Sequence, residues 1–409
     1  SQFAQITDLH IAAGHIVAIG AAPEDFSANQ RIDARGLIAS PGLVDLNVSL
    51  REPGRTRKGT IDSETRAAAA GGVTSLCSLP DTLPVLDTPA VAELILDRCE
   101  QAGQVRVFPY GALTRGLGGE HLSELVALRD VGCVAFTQGL APMKSNRILR
   151  RALEYAAGFD LPVVFMPQDP DIAEGGSAHE GATAARMGLV GIPETAETVA
   201  LARDLLLVEQ TGVQAHFSGL TSARAMDMLA DAQARGLRVS ADVAMYQLLL
   251  CDEDLEGFSS LLHVQPPLRS KQDRHALRQA VQSGVVQAIA SHHQPHEQEA
   301  KRVPFAASAP GISSVEILLP LALTLVADGL LELPALLARL TCGPARALNL
   351  PVGTISLHER ADITLFDPVA ASLIGHNWLS KGANCPFIGQ GAPCKVTHTI
   401  SNGKLVYQA

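Results

Sequence analysis

The sequence is short of charge, of aromatic rings and of basic residues, and each shortage excludes something. Of its 409 residues, 18% are charged and 4% are Phe, Trp or Tyr. Its 42 Asp and Glu outnumber its 32 Lys and Arg, for a net charge of −10. Nucleic acid is therefore not an expected partner, since phosphate binding needs a clustered basic surface and no Lys/Arg run with interleaved aromatics is present. Long apolar runs are missing too. The longest, near Ile317–Ala327, is shorter than the roughly 18 residues needed to span a bilayer, so no membrane contact is expected. The opening SQFAQITDLH has no basic-then-apolar signal layout, which points to the cytoplasm. The seven cysteines (Cys77, Cys99, Cys133, Cys251, Cys342, Cys385 and Cys394) are odd in number, scattered and never at C-x-x-C spacing. That argues against a zinc knuckle or disulfide framework and for reduced, buried thiols. A charged fraction below the roughly 25% of an average soluble protein also suggests that a partner covers part of the surface.

What is present is a 47% hydrophobic chain with a regular alternation. Eight short apolar runs read as strands: 42–50, 72–79, 104–111, 132–138, 162–168, 213–219, 237–244 and 285–293. Helix-patterned stretches lie between them, such as 87–103 and 145–158. In the second, Ile148, Leu149, Leu153 and Ala156 share a face and Ser145 is placed to cap it. A helical pair near 314–341 follows the last strand, and the largest insertion, about 170–211, separates strands five and six. Eight such units predict an α/β fold, a (β/α)8 TIM barrel over residues 44–349. The ends read differently. Segments around Gly14, the run ADITLFDP and a hairpin turning at Asn402-Gly403 predict a small β-sandwich assembled from both termini, residues 1–43 plus 350–409.

The runs GLIASPGLVDLNVSLREPG, TRAAAAGGVTSLCSLPDT, DPDIAEGG, VQPPLRS, AIASHHQPH and CGPARALNLP occur in order along the chain. With SKGANCPFIGQ near the end, they resemble the dihydroorotase branch of the amidohydrolase superfamily. The resemblance implies the barrel and β-sandwich just described. It also implies hydrolysis or closure of a cyclic amide by metal-bound hydroxide, with a strand-eight aspartate moving the proton.

Carried over position by position, the family's metal-binding pattern meets other residues. Its His-x-His after strand one falls on Asn47 and Ser49, and its strand-four carboxylate falls around Thr137 and Gln138. Its strand-five histidine falls on Met166, its strand-six histidine on Gly219 and its strand-eight aspartate on His292. Neutral oxygens, a thioether and a bare glycine are poor zinc ligands, and a catalytic zinc usually needs three protein ligands. No metal, no other cofactor and no catalytic residue is expected. The substrate-holding positions fall on Arg51, Asp81 and His296, where Arg51 has a choice of Glu52 or Asp81 as an ion-pair partner. His292, His293 and His296 cluster in sequence, but neighbours on a regular strand face opposite ways.

The leading functional reading is a catalytically inactive homologue kept as a building block. Its resemblance to non-catalytic dihydroorotase-like chains implies the aspartate transcarbamoylase catalytic chain as partner, in a hetro-oligomer of pyrimidine biosynthesis that also leaves room for self-association. Two alternatives stand beside it. One is a metal-dependent cyclic-amide hydrolase with an altered site, of dihydroorotase, hydantoinase or allantoinase type. The other is a sensor of dihydroorotate or carbamoyl aspartate that reads its ligand through Arg51 and His296.

Overall fold

Eight short strands organise the molecule: β1 (Leu43–Val48), β2 (Val73–Ser78), β3 (Arg106–Ala112), β4 (Ala135–Thr137), β5 (Val163–Phe165), β6 (Ala215–Phe217), β7 (Val239–Ala244) and β8 (Ala288–Ala290). Seven of them fall inside a run that the sequence pattern marks as a strand, and β3 runs one residue beyond its own, to Ala112. In the computed structural model, which describes residues 5–409, they pair in chain order and in parallel. Residues 1–4, part of the expected β-sandwich, lie outside the described residues. Among the described residues, the ring closes by a single bridge between Val48, the last residue of β1, and His293 beyond β8. There, Ser49 N donates to His293 O at 2.9 Å and His293 N donates to Asn47 O at 3.1 Å.

Alternation along the strands sorts the core into two layers. Val44, Leu46, Cys77, Tyr110, Ala135, Val164 and Ala288 meet in the barrel interior, stoppered by Leu348 and Leu350. Leu43, Leu76, Val107, Phe136, Val163, Phe217, Val243 and Ile289 face the surrounding helices. β1 departs from strict alternation. Its register against β2 shifts between Asp45 and Val48, and such an irregularity re-aims the side chains beyond it. Asn47 accordingly bonds Ser218 beyond β6 and Ser49 bonds Asp81 beyond neighbouring β2, although Val44 and Leu46 also face inward.

The surrounding helices are α1 (Ile61–Ala70), α2 (Pro89–Ala102), α3 (Leu125–Asp130), α4 (Asn146–Gly158), α5 (Ala182–Met187), α6 (Glu194–Thr211), α7 (Ala223–Ala234) and α8 (Lys271–Ser283). The pair Leu318–Ala327 and Leu333–Leu340 follows β8. Ser145 caps α4 by accepting from Ile148 N. In α4, Leu149, Ala152, Leu153 and Ala156 are buried, while Ile148 is only half covered. The insertion holds α5 and a short parallel pair, Ala178–His179 beside Gly191–Ile192, before α6 begins.

Both ends of the chain supply the second layer. A hairpin, Leu9–Ala12 with His15–Ile19, accompanies a four-stranded antiparallel sheet of Ile38–Pro41, Ile363–Asp367, Lys395–Ser401 and Lys404–Gln408. Ile16, Ile363, Leu365 and Ile400 form its core. Asn402 and Gly403, at φ 51° and 73°, make the tight turn. The C-terminal segment also returns to the barrel. Ser380 Oγ and Lys381 N donate to Glu64 of α1, and Asn384 Nδ2 donates to Gln294 O and Gly311 O beyond β8.

Candidate functional site

The strand ends of the barrel carry a buried polar cluster centred on Asp242 of β7, a residue the sequence reading did not single out. Its carboxylate is fully buried. His216 Nε2 lies 2.9 Å from Oδ2, His292 Nε2 lies 2.7 Å from Oδ1, and Gly219 N donates to Oδ1 at 3.0 Å. Burial alone would raise this carboxyl's pKa, but His292 and His216 outweigh it and hold the group well below the usual carboxylate range. The second nitrogen of His216 is also engaged, 2.8 Å from Ser240 Oγ. A signal for Asp242 was present in the sequence. In LRVSADVA it stands two residues after Ser240, so the two share the inward face.

The strand-six imidazole that faces the barrel interior is His216, paired in register with inward Val164 of β5. Gly219 lies beyond the strand end at φ +72°, and a Cβ there would come within 2.7 Å of His292 Cε1. Its missing side chain makes room for the His292 ring, which sits at φ +49°. The mouth therefore contains two imidazoles, both turned onto one carboxylate.

The other positions are equally engaged. Asn47 Nδ2 donates to Ser218 Oγ at 3.0 Å, while its Oδ1 and the Oδ2 of neighbouring Asp45 are buried without a partner. Burial pushes the Asp45 carboxyl up, against a hydrogen bond from Ser291. Ser49 Oγ donates to Asp81 Oδ2 at 3.3 Å. Gln138 turns out of the centre, accepting from Thr114 Oγ1 and donating to Leu117 O. Met166 is buried beside a cavity of about 70 Å³ that Gln138 and Asp204 also line. That volume is well under the roughly 300 Å³ at which ligand pockets usually begin.

Arg51 resolves its choice of partner. Its Nη1 donates to Asp81 Oδ2 at 3.0 Å and its Nε to Pro295 O, while Glu52 pairs instead with Arg98. His296 Nδ1 lies 2.8 Å from Lys58 Nζ, and its Nε2 lies 3.0 Å from Pro310 O and 3.3 Å from Arg51 Nη2. Burial and the cations Arg51, Lys58 and Lys301 press its pKa down to about 3. Arg51, Asp81 and His296 are thus brought together, but the guanidinium already has its carboxylate. His293 faces away from the centre, as expected of a neighbour of His292. It accepts from Ser314 N and Val315 N and lies 2.8 Å from Glu64 Oε2.

The family's one or two divalent ions do not fit these residues. Both inward imidazoles are bound to Asp242, Asn47 binds Ser218, and the remaining positions offer a thioether, a glycine and an amide turned outward. Among the described residues, no group of three or more His, Cys, Asp or Glu is placed to hold a metal ion.

Comparison with known proteins agrees with this architecture. A family profile described as Dihydro-orotase-like matches residues 36–224. A protein of Pseudomonas aeruginosa called "Dihydroorotase-like protein" is 67% identical over 408 residues, spanning 100% of this chain and 96% of that one. One of the same description from Pseudomonas putida is 64% identical, spanning 98% and 95%. A "Dihydroorotase" of Syntrophus aciditrophicus is 41% identical over 406 residues, spanning 98% and 95%. Among solved structures, L-hydantoinase from Arthrobacter aurescens superposes with a TM-score of 0.86 over 98% of this chain and 92% of that one. At 24% identity, that likeness shows the fold. With relatives this similar along nearly its whole length, the chain belongs to the dihydroorotase-like family of the amidohydrolase superfamily.

Proposed function

We propose that this chain is a catalytically inactive dihydroorotase homologue that serves as an assembly subunit, with the catalytic chain of aspartate transcarbamoylase as its partner. One observation carries the reading. The imidazoles and the guanidinium of the barrel mouth are taken up by its own carboxylates, with His216 and His292 both turned onto buried Asp242 and Arg51 neutralised by Asp81. Metal-bound water owes its reactivity to a drop of roughly eight pKa units in the strongest cases. The amide and hydroxyl at positions 47 and 49 supply hydrogen bonds of about 1 kcal/mol net. Two relatives of 64–67% identity named dihydroorotase-like are in keeping with this reading.

Two measurements test it. Purified chain incubated with zinc should neither hydrolyse dihydroorotate nor cyclise carbamoyl aspartate. Chelator-sensitive turnover of either would overturn the inactive reading. The transferase chain, expressed with and without this protein, should run as a larger species only when both are present. An unchanged transferase size would overturn the assembly reading.

A further inference from the structure

The loop that leaves β1 carries charge mostly of one sign. Residues 51–58 read REPGRTRK, four cations and one carboxylate in a chain whose net charge is −10. The carboxylates beside it are already engaged: Asp81 pairs with Arg51, Glu52 with Arg98 and Glu297 with Lys58. Arg55 and Arg57 are exposed, and among the described residues neither forms an ion pair. Lys381, also exposed and without a carboxylate, joins them, its Nζ donating to Thr56 O at 2.7 Å. Leu83, on the loop after β2, is 54% exposed. It packs on the bend at Gly54, where an added Cβ would come within 2.3 Å of the Leu83 Cβ, and its N–H donates to Pro53 O at 3.0 Å. One apolar side chain is thus bordered by uncompensated cations at the rim of the barrel mouth.

The backbone holds these charges in place. Arg55 N donates to Arg51 O at 2.8 Å, Lys58 N to Arg55 O at 2.9 Å, and Ile61 N to Glu52 Oε2 at 2.8 Å. Like charges are kept close as a result. Burial, Arg51 and Arg55 draw the Lys58 ammonium's pKa below its usual value, against the pull of Glu297. An anionic partner docking here relieves that repulsion. We propose, on the assembly reading above, that Arg55, Arg57 and Lys381 around Leu83 form the docking surface for an acidic segment of the partner protein, one that seats an apolar side chain on Leu83. On a molecule otherwise rich in Asp and Glu, an acidic partner is repelled from most of the surface and drawn to this rim. Such a pattern fixes both the place and the orientation of docking. An apolar anchor inside a charged rim is the usual anatomy of a binding hot spot. A preformed loop also lowers the ordering cost of the contact. Nucleic acid fits less well, because the loops at 51–58 and 81–84 hold no aromatic side chain on which a base could stack.

Sedimentation velocity of the full chain mixed with the transferase chain, over a series of salt concentrations, tests the proposal. Wild-type assembly should weaken by about tenfold or more between roughly 50 and 300 mM salt. Arg55→Glu with Arg57→Glu should weaken it at least about one-hundredfold and flatten the salt dependence. Arg147→Glu with Arg151→Glu makes the same change in charge at two exposed cations of α4, and should cost less than about threefold. Leu83→Ser should weaken assembly by about tenfold with the salt dependence intact. Where the Glu pair lowers the melting temperature, Arg55→Gln with Arg57→Gln gives the same reading at about tenfold. A rim variant that assembles like wild type would overturn the docking surface and leave the assembly reading standing. Equal losses from the α4 control would overturn the surface too, since overall charge would then govern. A wild type that never enlarges the transferase overturns both. Loss of single-stranded oligonucleotide binding in the rim variant, with transferase binding unchanged, would give the rim to nucleic acid and overturn the acidic partner.

Discussion

Asp242 is the residue on which most of the buried polar network depends. Three donors converge on it in a setting without water access, so its loss strands two imidazoles and a backbone amide together. Asp242→Asn keeps the shape but replaces one acceptor oxygen with a donor facing an imidazole N–H. Removing one partner of a buried charged group typically destabilises by about 3–5 kcal/mol. Chemical denaturation should show a loss near the lower end of that range. His296 gives a pH test. Its folded-state pKa lies near 3, below the ordinary value of 6.5, so below pH 6.5 the unfolded chain takes up a proton that the folded chain refuses. Wild type should therefore lose stability relative to His296→Gln as pH falls from about 6.5 toward 3. The slope should be roughly 1 kcal/mol per pH unit. Parallel denaturation curves for the two proteins at pH 7.5, 6 and 5 read it directly, and a constant difference would refute the assignment. Of these residues, Arg51, Asp81 and His296 were legible from the sequence motifs. For Asp242 only the inward position was legible; its role was not, because that comes from two histidines 26 residues upstream and 50 residues downstream.

At the scale of elements, barrel closure depends on a junction rather than a ladder. His293 bridges the ends of β8 and β1 through its backbone, and its ring is held by Glu64 of α1. Ser380 Oγ and Lys381 N bind the same carboxylate, so Glu64 ties the helix, the closing strand and the C-terminal segment together. His293 and Ser380 hold its pKa below the usual value although burial opposes them. Glu64→Gln should destabilise by about 2–4 kcal/mol. Hydrogen exchange should then accelerate first at residues 379–385 and at the β8–β1 seam, while the amides of β4 and β5 stay protected. The strands themselves were readable, because inward and outward apolar residues alternate with a period of two. The shift in β1 between Asp45 and Val48 was not readable. It reflects the geometry of closing the ring, and no local pattern records that.

For the whole molecule, the prediction concerns what cannot be restored piecemeal. Asn47→His with Ser49→His should not create dihydroorotase activity. The strand-four and strand-five positions would still be Gln138 and Met166, and His216 and His292 would still be hydrogen-bonded to Asp242. Assays of the double variant with added zinc should remain at background, and any turnover would show that strand one alone was limiting.

The sequence by itself determined the barrel and its order of strands, the β-layer contributed by both termini, and the unusual residues at the strand ends. Each of these is written in local periodicity, turn chemistry or residue identity at a fixed place along the chain. Tertiary structure alone decided that His216 and His292 both turn onto Asp242, and that Asp81 rather than Glu52 neutralises Arg51. Those outcomes depend on which distant groups come within about 3 Å in a medium of low dielectric, where a charge must find a partner. The chain's ring closure, not its local sequence, sets those distances.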